Sequence, residues 1–262
     1  MSVSHLFDSI SYEGDTASLE LSPDWLQGRT AYGGWQAALG LRAMERVLGD
    51  AVPLRSLQVN FIAPVPPGRV TAHAELLRRG KSAAQLEARI LIDGKVALTA
   101  VGIFGAQRES AVREVPVAPA AAVPVETVPD APHGGLRPAF TRHFDMRWGA
   151  GLPPFSGAEH SDAQIFVRYR NEPVSSDALL VCLADAIPPS AISVFKAPAM
   201  LSSMNWTLEF VTPMNEAERA GWLRFDSGLT AAGDGYGWEN TLIWSDQGRL
   251  VAISRQCVAL FG

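Results

Sequence analysis

The chain has 262 residues, of which 47% are hydrophobic and 19% are charged, and its formal net charge is -5. A chain of this length and composition can bury one large core or two medium ones. The acidic balance argues against a nucleic-acid partner, because binding to a duplex needs a basic face that displaces counterions. The N-terminus lacks the pattern of a signal peptide, and no run is apolar enough to cross a bilayer, so we expect a cytoplasmic protein without a membrane partner.

The first long predicted element is a helix. Before it, residues 6–25 alternate loosely and predict one or two strands. The helix is predicted to begin at the pair Gly33–Gly34 and to end near Leu48, because Gly49 stands where a C-terminal glycine belongs and Pro53 follows it. Its few polar side chains cluster on one narrow stripe, so other elements must cover most of its surface.

Four strands are predicted between residues 54 and 104. Alternating apolar residues define each strand, and turn signals separate them at Pro64–Gly68, Gly80 and Asp93–Gly94. The simplest cover for the preceding helix is an antiparallel sheet made of these strands and curled around it. That arrangement is the shape of a hot-dog fold.

A segment rich in Ala, Val and Pro follows from residue 107 to residue 138. This composition favours an extended, polyproline-like path across the surface. It divides the chain into a first repeat at residues 1–106, a linker at residues 107–138 and a second repeat at residues 139–262.

The second repeat begins with the same kinds of elements as the first. Strands are predicted at Phe140–Trp148 and Ala163–Arg170. The run Ser175–Asp177 caps a predicted helix from Ala178 to Ile187, which ends before Pro188–Pro189. The two cysteines of the chain give neither a metal-binding spacing nor a disulfide framework, so we expect buried thiols and no metal site.

The clearest sign of an internal repeat follows the second helix. The apolar positions of Trp206–Thr212 match those of Leu57–Ala63 in spacing and face, and residues 247–252 resemble residues 93–98. The fold class predicted is therefore α+β, a double hot-dog in which two curled antiparallel sheets each wrap around a central helix. Pairing the first strands of the two sheets edge to edge would leave neither of them exposed.

Asp185 is the only charged residue in the predicted second helix. A carboxylate inside a helix that a sheet surrounds is costly to desolvate unless it is hydrogen-bonded or functional. The alternative is that Asp185 faces solvent near the helix end. The pattern alone leaves both interpretations open.

Several segments together resemble the acyl-CoA thioesterase II (TesB-like) family of double hot-dog enzymes. In the second half they are the helix end Leu183–Asp185, the strand Ser202–Phe210 and the last strand Gly248–Gln256; in the first half they are Gly28–Gly34 and Leu77–Ser82. The resemblance covers nearly the whole chain apart from the linker, and it rests on the order and spacing of these segments rather than on any one motif.

The resemblance implies a trio of catalytic residues. The family uses an Asp on the second central helix, a Ser or Thr on the next strand and a Gln on the last strand to hold and activate a water, and these positions fall on Asp185, Ser203 and Gln256. Ser202 would point to the opposite face of the same strand, so which serine faces the site stays open. A base and a positioned water are what thioester hydrolysis requires.

Two further groups are predicted to bind substrate. Backbone N–H groups at Gly33 and Gly34 would serve as oxyanion donors, or the glycines serve only tight packing. Arg78, Arg79 and Lys81 lie on one hairpin and would meet the phosphates of coenzyme A, or they form a solvated turn.

The function expected is an acyl-CoA thioesterase that hydrolyses a small-molecule acyl-CoA to free acid and coenzyme A without a metal or organic cofactor. The sequence also leaves open whether double hot-dog chains assemble into a homo-oligomer. An enoyl-CoA hydratase on this fold would need a histidine on or near the central helix, and neither predicted helix contains one. A non-catalytic acyl-CoA or lipid-binding double hot-dog protein remains the alternative. The length and type of the acyl chain are not predicted.

Overall fold

The first half of the chain packs one long helix against antiparallel strands in the computed structural model, which describes residues 3–131 and 137–262. Its elements are, in chain order, α1 (Val3–Asp8), β1 (Ser11–Glu13), β2 (Thr16–Leu21), β3 (Leu26–Gln27), β4 (Thr30–Ala31), α2 (Gly33–Leu48), β5 (Leu54–Phe61), β6 (Gly68–Arg79), β7 (Ala83–Ile92) and β8 (Lys95–Gly105).

Helix α2 confirms the predicted bounds. It spans 16 residues, and Gly49 after it has a left-handed φ of 75°, a conformation that glycine adopts without steric cost. Nearly all of its apolar side chains are buried. The short helix α1 differs from the prediction, which places a strand from residue 6. Val3, Leu6 and Phe7 are spaced three and four residues apart, so they share one face of a helix, and that face is buried.

The second half repeats the pattern with a shorter helix. Its elements are β9 (Phe144–Ala150), β10 (Ala163–Tyr169), α3 (Asp177–Ala184), β11 (Met200–Phe210), α4 (Glu216–Ala220), β12 (Leu223–Gly233), β13 (Tyr236–Trp244) and β14 (Leu250–Phe261).

Two boundaries differ from the prediction. Residues Ala139–His143 form a 3₁₀ turn, so the first strand begins at Phe144 rather than at Phe140. Helix α3 ends at Ala184 with Asp185 at its C-cap, whereas the helix was predicted to run to Ile187. Pro188 disfavours helical geometry in the residue before it, and this shortens the helix.

Twelve of the strands, from both halves, join in one antiparallel sheet, while β3 and β4 pair only with each other. The order of the strands is β1-β2-β6-β7-β8-β5-β11-β14-β13-β12-β10-β9. At the junction β5 pairs with β11, with Leu57 opposite Leu208 and Val59 opposite Trp206. The predicted edge-to-edge pairing of the two halves is thus found at these two strands, and it makes one continuous sheet of twelve strands.

The linker lies along the second half. Between residues 107 and 131 it contains one 3₁₀ turn, Val125–Thr127, and neither α-helix nor strand. The N–H group of Ala131 donates to the carbonyl of Met146, and Asp130 forms a 2.7 Å ion pair with Arg147. Residues 132–136 of the predicted linker lie outside the described residues.

Aromatic rings connect the start of α2 to the second half. Tyr32 stacks on Phe140 with ring centroids 3.9 Å apart, and Trp25 stacks on His143 at 4.0 Å. Asp24 also approaches His143 at 3.1 Å. These contacts fix the N-terminus of α2 against the second half. Within the described ranges no helix is long and apolar enough to span a membrane.

Candidate active site

The N-terminus of α2 meets the C-terminus of α3 at very short range. The buried hydroxyl of Tyr32 donates to the carbonyl of Cys182 at 2.5 Å. A Cβ at Gly34 would lie 2.5 Å from the same carbonyl oxygen, so only glycine allows this approach. A second buried tyrosine, Tyr169, donates to the carbonyl of Leu179 at 2.7 Å. Together these contacts fix α3 at its first turn and near its C-terminus, where Asp185 lies.

Three predicted residues form one chain of hydrogen bonds. The hydroxyl of Ser203 donates to Oε1 of Gln256 at 2.9 Å, and Nε2 of Gln256 donates to Oδ1 of Asp185 at 2.9 Å. The side chains come from β11, β14 and the end of α3, which are separated in sequence by up to 71 residues. Since a carboxylate only accepts, the amide NH₂ of Gln256 must face it, and the amide oxygen is then left to accept from Ser203.

Strand register distinguishes the two adjacent serines. Ser203 pairs with Val258, which lies two residues from Gln256 and therefore on the same face of β14. Ser202 pairs with Ala259 on the other face and is exposed. The structure therefore brings Ser203, and not Ser202, to Gln256.

The surroundings of Asp185 perturb its acidity. The residue is partly exposed, yet enough protein surrounds the carboxyl group that desolvation raises its pKa to about 7. Hydrogen bonds from Gln256 and from the backbone N–H of Gly34 lower the pKa, and the charge of Glu239 raises it. A carboxyl group with a pKa near neutrality suits a general base, because it is both available and basic enough to accept a proton at physiological pH.

Gly33 and Gly34 lie directly against this carboxyl group. A Cβ at Gly33 would be 2.7 Å from Oδ2 of Asp185, and the N–H of Gly34 stabilises the charged form of the carboxylate. The positive end of the helix dipole of α2 therefore points at Asp185. The structure brings both predicted glycines to the site.

The predicted basic hairpin lies elsewhere. Arg79 forms a 2.8 Å ion pair with Asp50 and donates to the carbonyl of Leu48, at the C-terminal end of α2. A helix of 16 residues is about 24 Å long, so the hairpin is about that far from Gly33 along the helix. Arg78 and Lys81 are exposed. The structure does not bring this cluster to Asp185, and its role as a phosphate clamp stays a prediction.

One buried carboxyl group beside the site was not predicted. Glu239 lies on β13 directly opposite Gln256 on β14, and only 8% of its surface is exposed. Its Oε2 atom accepts a hydrogen bond from the backbone N–H of Ser190 at 2.6 Å. A signal existed in the sequence, since Glu239 alternates in phase with the buried residues Thr241 and Ile243.

A narrow cavity is lined in part by Ile187–Ser190, the segment that follows Asp185 in the chain. Its volume is about 20 Å³, which is room for a single water molecule. Its walls are mainly apolar, with a few hydroxyl groups; they include Trp148, Ile165, Ile187, Ile192, Ser190 and Ser227. In the part of the chain that the structure describes, no cluster of His, Cys, Asp and Glu is arranged to hold a metal ion.

Solved structures with the same overall fold define the class of protein. A hot-dog-fold protein of unknown function from Alicyclobacillus acidocaldarius superimposes with a TM-score of 0.91 at 21% identity, covering 100% of this chain and 99% of that one. A putative thioesterase II from Thermobifida fusca gives 0.84 at 18% identity, with coverages of 100% and 98%. The acyl-CoA thioesterase II TesB2 from Mycobacterium marinum gives 0.77 at 17% identity, with coverages of 97% and 96%. The chain has the hot-dog fold.

Family models define the protein more closely. Residues 21–105 match the acyl-CoA thioesterase N-terminal domain, and residues 119–260 match the acyl-CoA thioesterase C-terminal domain. The chain belongs to the acyl-CoA thioesterase family and is a thioester hydrolase, as the resemblance of its motifs implied. No curated protein sequence is a significant match to it.

Proposed function

We propose that this protein hydrolyses acyl-CoA to a free carboxylic acid and coenzyme A, with Asp185 as the general base. The observation that carries the proposal is the hydrogen-bonded chain from Ser203 through Gln256 to Asp185. It combines a carboxyl group whose burial raises its pKa to about 7 with an amide and a hydroxyl that can hold a water beside it.

The proposed reaction is one addition of water to the thioester carbonyl followed by elimination of coenzyme A. Asp185 takes a proton from the water as the water oxygen forms a bond to the thioester carbonyl carbon. The tetrahedral intermediate then collapses, the carbon–sulfur bond breaks, and coenzyme A leaves as a thiolate that takes up the proton. Gln256 and Ser203 orient the water, which lowers the entropic part of the barrier. These steps need no metal or organic cofactor.

The first half would contribute to substrate binding. Because the N–H of Gly34 interacts with Asp185, we assign the N–H of Gly33 as the donor to the developing oxyanion. The cavity bounded by Trp148, Ile165 and Ile187 would receive the start of the acyl chain, after its walls move apart. Apolar walls suit an alkyl or aromatic acyl group.

We also propose the double hot-dog arrangement, with a first repeat at residues 1–106, a linker at residues 107–138 and a second repeat at residues 139–262. In its support, each half has its own helix, and among the described residues the sheet passes from one half to the other at β5 and β11. The N-terminal family match ends at residue 105, which fits the first boundary, whereas the C-terminal match begins at residue 119, inside the linker.

Release of free thiol from a panel of acyl-CoA substrates, followed with a thiol-reactive dye, tests the proposal. Asp185→Asn should retain substrate binding and lose most turnover, because the amide fills the same space and cannot accept a proton. Asp93→Asn, the same chemical change in an exposed turn whose positive φ suits asparagine, should behave like the wild type. Wild-type kcat in Asp185→Asn would exclude Asp185 as the base. Binding without turnover in the wild type would favour the non-catalytic alternative.

A further inference from the structure

Glu239 is a buried carboxyl group to which the proposed mechanism assigns no role. Its hydrogen-bond donor in the structure is Ser190, and no lysine, arginine or histidine forms an ion pair with it among the residues that the structure describes. A buried carboxyl group without a cation is costly, since desolvation penalises its charged form. Such a group calls for an explanation beyond packing.

The register of the last strands places Glu239 next to the catalytic trio. Glu239 and Gln256 are directly opposite each other on β13 and β14 and share the inner face of the sheet. Opposite residues of an antiparallel pair have Cβ atoms about 5 Å apart. Gln256 donates to Asp185, so both carboxyl groups are neighbours of the same glutamine.

A second connection runs through the backbone. Asp185 is followed by a short segment that ends at Ser190, and the N–H of Ser190 donates to Glu239 at 2.6 Å. The hydroxyl of Ser190 lies 2.6 Å from that of Ser227, which in turn accepts from Thr241 at 2.8 Å. Glu239 therefore anchors the segment 186–190 to the sheet immediately after the catalytic residue.

We propose that Glu239 is a positioning residue for Asp185: it holds the segment 186–190 through Ser190, and its charge acts on the Asp185 carboxyl group across Gln256. The inference deepens the proposed function and rests on it, because it concerns the protonation of the proposed base. Burial is the main cause that raises the pKa of Asp185, and the like charge of Glu239 raises it further; burial alone raises the pKa of Glu239.

The other ionisable groups around Asp185 do not titrate in the same range. Tyr32 on the approach to α2 and Cys182 on α3 both have a pKa raised above its ordinary value, mainly by burial, and both stay neutral near pH 7. Ser203 on β11 and Gln256 on β14 are uncharged. Glu239 is thus the group whose charge changes together with that of Asp185.

Carboxyl titration by carbon-13 NMR of the full chain tests the charge coupling without any need for turnover. For two charges on the order of 10 Å apart at an effective dielectric of 20, the expected shift is about one pH unit. Glu239→Gln should lower the midpoint of Asp185 by about that amount, and Asp185→Asn should lower the midpoint of Glu239. Glu75→Gln, an exposed strand position on β6, should change neither.

Kinetics test the positioning part. In Glu239→Gln the amide oxygen still accepts from Ser190, so the plateau kcat should persist while the acidic limb of kcat/KM moves to lower pH. In Glu239→Ala the anchor is lost as well, and the plateau kcat should fall by roughly 10- to 100-fold.

The charge coupling would be overturned if the titration midpoint of Asp185 were unchanged in Glu239→Gln and that of Glu239 were unchanged in Asp185→Asn. A wild-type plateau kcat in Glu239→Ala would overturn the anchoring. A purely structural Glu239 would lower the melting temperature and leave the titration of Asp185 in place. If Glu239→Gln fails to fold, the titration midpoint of Glu239 in Asp185→Asn tests the charge coupling by itself. Absence of thiol release by the wild type would refute the proposed function, and the NMR titrations would still show whether the two carboxyl groups form a coupled pair.

Discussion

Replacement of Gly33 by alanine tests whether the start of α2 sets the position of the Asp185 carboxyl group. A Cβ at this position would lie 2.7 Å from Oδ2 of Asp185 and 3.0 Å from the ring of Phe61. Since non-bonded heavy atoms rest about 3.5 Å apart, the carboxyl oxygen would have to retreat by roughly 0.8 Å. A displacement of that size at a reacting group costs on the order of 100-fold in rate.

The effect on rate should exceed the effect on stability. Both neighbours of the new methyl group are ends of side chains, so the protein can relax, and we expect the free energy of unfolding in urea to fall by only about 1 kcal/mol. Turnover measured by thiol release should fall by roughly 10- to 100-fold in kcat. Gly34→Ala should reduce stability more than it reduces the rate, because its Cβ would lie 2.5 Å from the backbone carbonyl of Cys182, which cannot move aside. We expect its free energy of unfolding to fall by about 2 to 3 kcal/mol.

Gly40→Ala is the matched control in the same helix. Its Cβ would lie 3.6 Å from the Cβ of Ala88, an ordinary contact, and alanine in a helix interior should raise stability by about 0.5 to 1 kcal/mol without changing kcat. Wild-type kcat in Gly33→Ala would refute the idea that this glycine positions Asp185. An equal loss of kcat in Gly40→Ala would mean that any change to α2 is harmful.

Three further variants test other parts of the structure. Gln256→Ala should lower kcat by about 10- to 1000-fold if the amide holds the water, and an effect confined to KM would make Gln256 a binding residue. Replacing Arg78 and Lys81 with alanine should raise KM for acyl-CoA but not for a short pantetheine thioester if the hairpin binds phosphate, and equal loss on both substrates would indicate a structural role. Glu218→Gln should destabilise the fold by about 3 kcal/mol, because Arg249 and Ser245 bond this buried carboxylate and lower its pKa to about 2. The stability it provides is present above pH 4.5 and is lost as the pH falls towards 2, so melting curves of wild type and variant should converge there.

Helix α2 could be predicted because its signals are local. The glycine after it adopts the left-handed conformation that ends helices, and the apolar residues between its ends exclude solvent on nearly every side. The hairpin of β7 and β8 was predictable for the same reason, since Asp93–Gly94 has the positive φ values that a tight turn requires. Residues within a few positions of each other carry this information.

The site was less predictable because its contacts are distant in sequence. Gln256 reaches Asp185 across 71 residues, and Glu239 reaches Ser190 across 49. The motif resemblance named Asp185, Ser203 and Gln256, and the structure brings them together. Nothing comparable pointed to Glu239, although its phase on β13 places it inside the fold. The basic hairpin was assigned to phosphate binding by its charge, and charge does not say at which end of α2 the hairpin lies.

The two halves match in the pattern of their strands but not in their site residues. Gln256 pairs with Trp206 on β11, and Trp206 matches Leu57 in the repeat pattern. Leu57 in turn pairs with Gly102 on β8, so Gly102 is the first-half counterpart of Gln256. A Cβ there would lie 2.7 Å from the sulfur of Met44, which means that a methionine side chain from α2 occupies the space that the amide takes in the second half.

One catalytic site per chain is therefore expected. The first half lacks the amide, and its helix has no carboxylate at Gly40–Met44, the stretch that corresponds to Asp185; it provides instead the start of α2 against which Asp185 packs. Calorimetric titration with a non-hydrolysable thioether analogue of acyl-CoA should give one equivalent bound per chain. Asp185→Asn should bind the same single equivalent, because only proton acceptance is lost. Two equivalents in either protein would mean that the counterpart position, with Met44 in place of the amide, still binds ligand.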